Sequence, residues 1–561
     1  MSVSHILLPN STHYFKYPEN LDKKCVICGN KVNYCYPTAG HTYQDFDGMH
    51  NDILRLYICS NPNCNLHSAP YNPTNLNVLP FKRYSLAIWK WIGKEAFIYN
   101  VKPGQIHKRI TDEFGVDISE GTIRNIIKEI NSFLGDEIDK KTAKILKDQG
   151  KILLAMDGQK PDDKGKALWL FVDLISNRVV KVVLLETADH KTLHSCVDGI
   201  LKTYEVELIG GVSDKQGSIQ KMRREFYSGV PWQWCHFHFL QNLWNHIEIK
   251  DGNLHKTLKK AINGLYIVKT SKFALVKFDG MGKMAIRELF QGVSRQLKAI
   301  LKNSTKKFKK LRGIKTYGEL EEYISEMENK LDGEDNSRRV VKIMKDVADR
   351  LRVTLIETKG QNETCTKLFR LLQEIKSDLG DNKAGRSEKI NKLDTRFGDI
   401  WEKVKGFENK VEISNLRTFM PQKGVNEQKI LQEWVRLYHS YKSGLFAYYD
   451  FPIAVRTNSA MEASFGCEKT ILVSRSGKSK VGSQIRVYGP GILKKIYAGT
   501  EEVGSILNRM SDDFDRKSLQ SAFEELSARI SEETAMWKNK IRNSDEIGKL
   551  LSLGKIKKRE D

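Results

Sequence analysis

Three acidic residues, Asp157, Asp214 and Glu462, carry the pattern most readily turned into chemistry. Hard divalent cations such as Mg2+ take oxygen ligands and keep part of their water shell, so carboxylates gathered at strand ends can hold metal against phosphate. That is phosphodiester chemistry in outline. A second constellation is built of sulfur. Cys25-Val-Ile-Cys28 and Cys59-Ser-Asn-Pro-Asn-Cys64 are two cysteine knuckles, with turn formers Gly29 and Pro62 beside or within them. Four thiolates so paired are the ligand set of a structural zinc ribbon, with Cys35 and His67 as alternatives for one position. Four protein ligands would leave no open position for water, so one Zn2+ here would be structural.

The acids need elements that bring them together. Lys151 to Gly158 is a continuous apolar run ending in Asp157, as for a strand buried on both faces. Ala167 to Ser176 and Arg178 to Glu186 read as a hairpin pair turning at Ser176-Asn177. A helix follows from His190 to Tyr204, with Leu193, Val197, Ile200 and Leu201 at helical spacing, and a fourth strand, Glu207 to Ser213, ends before Asp214. Three strands, helix, strand, helix, strand is the order of a ribonuclease-H-like core, in which the first and fourth strands lie side by side. Asp157 and Asp214 would then approach each other across 57 positions of sequence (214 minus 157). Glu462 falls in a helix expected over Ser459 to Leu472, entered through Asn458 or Ser459 as cap. Lys469, seven residues on, shares its face. Glu468 is the competing third acid and otherwise a surface charge; Glu186, from the third strand, ranks fourth.

Three blocks of residues resemble a known family. Gly211-Val-Ser-Asp214, Gly217-Ser-Ile, Trp234-Cys235-His236-Phe237-His238 and Gln241-Asn242-Leu243 are similar to the central block of DDE transposases of the Mutator-like and related insertion-sequence superfamilies, which carry Cys-x-x-His after the second aspartate. Arg456-Thr-Asn-Ser-Ala-Met-Glu462, with Lys469, Arg475 and Gly477 behind it, resembles the family's third block. The match covers the catalytic core, roughly a third of the chain. The resemblance implies a triad of Asp157, Asp214 and Glu462 with two Mg2+ or Mn2+ ions, cleaving transposon ends and joining them to target DNA. It also implies a role for His238 near the active centre, and an all-helical insertion before the last helix of the core. For Cys235 and His238 a buried structural pair is the alternative, since a bare Cys-x-x-His lacks two ligands of a zinc site. Double-stranded DNA is the expected partner, with a homodimer or higher oligomer on it and a nucleoid-associated place in a prokaryotic cytoplasm.

Elsewhere the sequence supplies means of binding DNA. Pro103-Gly104 opens a helix with Ile106, Ile110 and Phe114 on its apolar face, Gly115 ends it, and Ser119 caps a second with Ile123, Ile126, Ile127 and Ile130. This helix-turn-helix would offer Glu120, Thr122, Arg124, Asn125 and Lys128 to a groove; the plainer reading is a small helical hairpin. Lys298 to Arg312 is a basic run, and Arg475-Ser-Gly-Lys478-Ser-Lys480 reads as a basic loop suited to phosphates. Helices are expected at Tyr317 to Leu331, Ser337 to Glu357, Thr364 to Leu379 and Asn426 to Tyr441. The 561 residues carry 92 Lys and Arg against 69 Asp and Glu, a net charge of +23 that attracts polyanions. No signal peptide and no membrane-length apolar run is read, and nine cysteines, five of them before residue 65, suit metal ligation in a reducing compartment.

The chain thus reads as a multidomain α/β protein. Its parts are a zinc-binding domain (1–75), a helix-turn-helix domain (76–148), a ribonuclease-H-like core (149–246, resumed at 448–500), an all-helical insertion (247–447), and a C-terminal helix with a basic tail (501–561). The rival to an active transposase is a catalytically silent, transposase-derived DNA-binding protein in which the amino-terminal modules carry the whole function.

Overall fold

The computed structural model describes residues 11–16, 19–72, 78, 82–160, 165–269, 283–303, 311–334, 339–405, 427–510 and 528–536. The protein is a mixed α/β chain in two compact units, Met1–Val230 with Asn458–Asp561, and Pro231–Thr457. The basic tail around Lys555 and much of the basic run Lys298 to Arg312 lie outside the described residues.

The first unit opens with a sheet around a long strand. Strands β1 (Ser11–Phe15), β2 (Val32–Pro37) and β3 (His41–Asp45) all pair with β4 (Gly48–Cys59), β1 in parallel and the other two antiparallel. Three helices follow: α1 (Leu86–Phe97), α2 (Pro103–Phe114) and α3 (Glu120–Gln149). Their ends obey local chemistry. Ser85 caps α1 by accepting from the Ile88 N–H, Pro103 begins α2, Gly115 closes it at a φ of 64°, and Ser119 caps α3 through the Thr122 N–H. The second helix of the expected pair runs on to Gln149, 30 residues in all, because Phe133, Leu134, Ile138 and Leu146 extend its buried stripe.

A second sheet then forms from β5 (Lys151–Gln159), β6 (Ala167–Asp173), β7 (Arg178–Leu185) and, after α4 (His190–Tyr204), β8 (Glu207–Ser213); α5 (Gly217–Phe226) follows. The strand order runs β7-β6-β5-β8, with β5 antiparallel to β6 and parallel to β8. The first and fourth strands of the series are therefore neighbours. β6 stops three residues short of the expected Ser176 because the buried Asp173 carboxylate takes the N–H groups of Ile175 and Ser176 and the Ser176 hydroxyl. It also accepts from Leu153 N–H on β5, so one acid closes the hairpin and ties it to the next strand.

The second unit is helical apart from β9 (Trp232–Trp234). Its helices are α6 (His236–Gly264), α7 (Tyr266–Lys269), α8 (Lys283–Asn303), α9 (Arg312–Leu331), α10 (Arg339–Gly380), α11 (Arg386–Val404) and α12 (Glu427–Lys442). Leu254, Leu258, Leu297, Leu320, Ile324, Leu351 and Leu355 share one core. Asp251 on α6 accepts from Gly313 and Ile314 N–H at 2.9 Å each, capping α9 from a neighbouring helix. Two features differ from expectation. The boundary read at 246/247 falls inside the continuous helix α6. The helices expected at Ser337 to Glu357 and Thr364 to Leu379 are one helix of 42 residues. In its polar middle the Thr358 hydroxyl donates to the Thr354 carbonyl at 2.7 Å, and Cys365 is buried.

The chain re-enters the first unit with α13 (Ser459–Ser476) and α14 (Gly482–Asn508), the latter kinked at Gly499. Val503, Ile506, Leu507 and Met510 complete the core formed by α1, α2 and α3. Leu507 lies so close to Gly93 that a Cβ there would stand 2.8 Å from it. Glu502 accepts a two-pronged bond from Arg178 on β7, at 2.7 and 2.6 Å, and another from Lys141 on α3. The C-terminal segment is thus part of this core.

Candidate active site and metal centre

The last paired residues of β5 and β8 are Met156 and Ser213, so Asp157 and Asp214 each follow one residue beyond a shared register position. Neighbouring strands lie about 4.8 Å apart, so the two acids stand side by side where this ladder ends; β5 itself runs two residues past Asp157, which is still paired with Leu170 of β6. The third arrives from α13. Glu462 occupies its first turn, where the helix dipole favours an acid. Asn458 holds the N-cap position, but its side chain does not cap; its amide donates to Asp157 Oδ2 at 3.1 Å, while Asp157 Oδ1 takes the Gly158 N–H at 2.8 Å. Gly158 has no room for a side chain, since a Cβ would meet the Trp169 indole at 2.7 Å.

The acids lie close enough to act on one another's charge. Burial and the charge of Asp214 push the Asp157 carboxyl up to about 7, opposed by the Gly158 hydrogen bond and reinforced by Glu462. Lys215, half-buried beside Asp214, is pushed down to about 8 by burial. Tyr497 on α14 lies near enough to Asp157 to feel its charge. Lys215 was visible in the sequence as a cation next to an acid; nothing in the sequence marks Tyr497, or Asn458 as the partner of Asp157.

The competing acids lie elsewhere. Glu186 is exposed, and its charge acts on Lys166. Glu468, expected at the surface if not catalytic, is fully buried. Neither of its oxygens finds a hydrogen-bond partner among the described residues, and burial pushes it up to about 8. It is buried because position 468 turns inward on α13, against Gly489 and Leu168. Cys235 and His238 belong to the second unit. Cys235 is buried at the N-cap of α6, and the His238 ring stands edge-on to Phe237 at 5.7 Å. Between them His236 is the deeply buried histidine, held by the Leu445 carbonyl at 2.6 Å and pushed down to about 4 by burial.

Of the expected DNA-contacting residues, Arg124, Asn125 and Lys478 are exposed, and Lys128 and Lys469 partly so. Arg124 pairs with Glu120 one turn earlier. Arg475 departs from the expected loop. α13 continues through Ser476 before Gly477 ends it, and Arg475 folds back to donate to the Ala96 carbonyl at 2.7 Å.

The four cysteines converge. Cys25 and Cys28 flank a turn closed by Gly29 N–H to the Cys25 carbonyl, and Cys59 ends β4 five residues before Cys64. The Sγ atoms of Cys25 and Cys64 are 3.8 Å apart and those of Cys28 and Cys59 3.4 Å. Thiolates placed tetrahedrally at about 2.3 Å from a metal lie roughly 3.8 Å from one another, so the spacing fits one ion. Hydrogen bonds from the Asn30 N–H and side-chain amide bring Cys28 down to about 6. Cys35 is exposed and outside the group, and His67 instead bonds the Cys59 carbonyl at 2.7 Å. Among the described residues these cysteines alone form a group of three or more His, Cys, Asp or Glu whose ligand atoms all lie within 4.8 Å of one another. Also among the described residues, no helix is long and apolar enough to cross a membrane. No protein-family model matches this chain, and no curated protein matches it significantly.

Proposed function

We propose that this protein is a DDE transposase, with a ribonuclease-H-like core that binds transposon ends and cleaves and joins DNA. The observation that carries the reading is the placing of Asp157 and Asp214 side by side where the parallel ladder of β5 and β8 ends, with Glu462 close enough to raise the Asp157 carboxyl. Three acids whose charges oppose one another are a cation site in waiting, because divalent metal relieves the repulsion that burial magnifies.

Two Mg2+ or Mn2+ ions, when bound, would activate water and later the freed 3′ hydroxyl and stabilise the leaving oxygen. The chain's own residues set the geometry. Asp157, Asp214 and Glu462 offer the oxygens, and Asn458 and Gly158 each hold one oxygen of Asp157, fixing its carboxylate plane for metal. The cysteine cluster would hold one structural zinc, and the helix pair α2 and α3 would read DNA ends, supported by the net charge of +23.

The test is the purified full-length protein with its own flanking DNA ends and Mg2+, scored for end cleavage and joining. Products with the wild type and none with Asp157→Asn are expected. Cleavage by Asp157→Asn and Asp214→Asn close to wild type, with contaminating nuclease excluded, would leave only a DNA-binding protein.

A further inference from the structure

A cavity of about 360 Å³ opens in the first unit among α1, α2, α3, α13 and α14, away from the paired strand ends. Its size falls at the lower end of small-ligand sites. Phe97 and Tyr488 supply aromatic surface, Arg475 and Lys128 cations, and Asn131 and Gln484 amides, with Ile127, Leu472 and Ile492 between them. Arg124, already paired to Glu120, stands among the lining residues, and no carboxylate does.

Charge inside this cavity is unbalanced. Lys495 lies beside it, its ammonium 3.9 Å from the centre of the Phe97 ring and bonded to the Asn131 side-chain oxygen. Arg475 stands over the same ring at 6.0 Å and donates only to the Ala96 carbonyl and, at 3.4 Å, to Asn100. Neither cation has a carboxylate partner among the described residues. Burial and the neighbouring Arg475 hold Lys495 well below the ordinary lysine range. Two basic groups gathered at one aromatic ring without an anion disfavour each other's charge, and burial adds to that. A ligand that brings the anion removes that cost.

We propose that this cavity binds a nucleoside monophosphate, as a free nucleotide or as the phosphorylated terminal nucleotide of a DNA strand. The phosphate would lie against Arg475 and Lys128, both in the cavity wall, with Lys495 beside them at the Phe97 ring. The base would stack within the apolar walls near Tyr488, and the amides of Asn131 and Gln484 offer donors and acceptors to its edge. Nothing in this assignment depends on Asp157, Asp214 or bound Mg2+, so a protein without cleavage activity can still satisfy it.

Calorimetric titration of the full-length protein without divalent metal tests it, using sodium phosphate, dAMP and a 5′-phosphorylated tetradeoxynucleotide as probes. dAMP or the tetranucleotide should bind at least about ten-fold more tightly than phosphate. Equal binding of both points to a free nucleotide as sufficient ligand, and binding of the tetranucleotide alone to a strand terminus; either supports the proposal. Lys495→Met should weaken binding at least about ten-fold with an unchanged or raised melting temperature, because it removes a group whose charge is already disfavoured by burial and by Arg475. Should that variant fail to fold, the partly exposed Lys128→Ala and Gln484→Ala decide, each expected to weaken dAMP or tetranucleotide binding several-fold. Binding of phosphate as tight as both nucleotide probes, no binding of any probe at millimolar concentration, or unchanged affinity in the variants would overturn it.

Discussion

Asp157, Asp173 and Glu468 are three acids withdrawn from solvent in one unit, and their partners give them different fates. Asp173 accepts from backbone and side chains on several sides and holds a hairpin together. Asp157 has one donor per oxygen and two acidic neighbours, so its charge is tolerated best with a cation present. Asp214→Asn removes one charge from that set while keeping size, and is expected to reduce end cleavage by roughly 10²-fold or more. DNA affinity, measured side by side by gel shift, should be equal or slightly tighter, since on the proposed reading an acid has left a surface that faces DNA. Glu468 makes a separate prediction. Its folded-state value of about 8 lies above the ordinary 4.5. Stability tied to its protonated form is therefore complete below about 4.5 and lost as pH rises through about 8. Glu468→Gln cannot ionise, so its melting temperature relative to wild type should climb between pH 5 and 8 and level off above, followed by calorimetry. A flat difference would show that the carboxyl finds a partner.

At the scale of elements, caps and turns place the working groups. α3 begins at Ser119 because its hydroxyl takes the Thr122 N–H at 3.1 Å. Ser119→Ala should cost about 1 kcal/mol of stability in denaturant titration, with weaker binding of specific ends if this helix reads DNA. The knuckles of the amino-terminal sheet are held by few apolar residues, chiefly Val32 and Tyr57 with Leu21, Leu66 and Tyr71 around them. So small a core would draw much of its folding free energy from a metal bound by the four cysteines. Cys59→Ser, or a chelator, should release this sheet to proteolysis and abolish specific end binding while salt-sensitive nonspecific binding persists. Metal analysis of protein purified without chelator should find one zinc per chain.

At the scale of the whole molecule, sequence order and structural order part company. The segment from Glu501 reads by itself as a separate helix of mixed charge with a basic tail, yet Leu507 is fully buried in the core of α1, α2 and α3. Leu507→Ala should therefore destabilise the first unit by about 2–5 kcal/mol, measured by thermal or chemical unfolding. A loss near zero would place this helix at the surface.

Local rules were sufficient for much of this. Helix α4 and strand β8 carry the bounds read from periodicity and turn residues, because their apolar spacing, the Asp189 cap and the flanking polar residues act within a few positions. The four cysteines were legible for the same reason: knuckle spacing is a local property. The adjacency of β5 and β8 was expected from element order, and their register brings Asp157 and Asp214 to one edge. Other features depend on residues far apart in the chain. Glu468 turns inward because Gly489 leaves room for it, Arg475 folds back onto α1, and Asn458 spends its amide on Asp157 instead of on its own helix. A sequence records which side chains can bond or bury. Which surface arrives opposite each one is decided only by the packing of α13 and α14, some 300 residues after β5, onto a sheet and helices built from the first half of the chain.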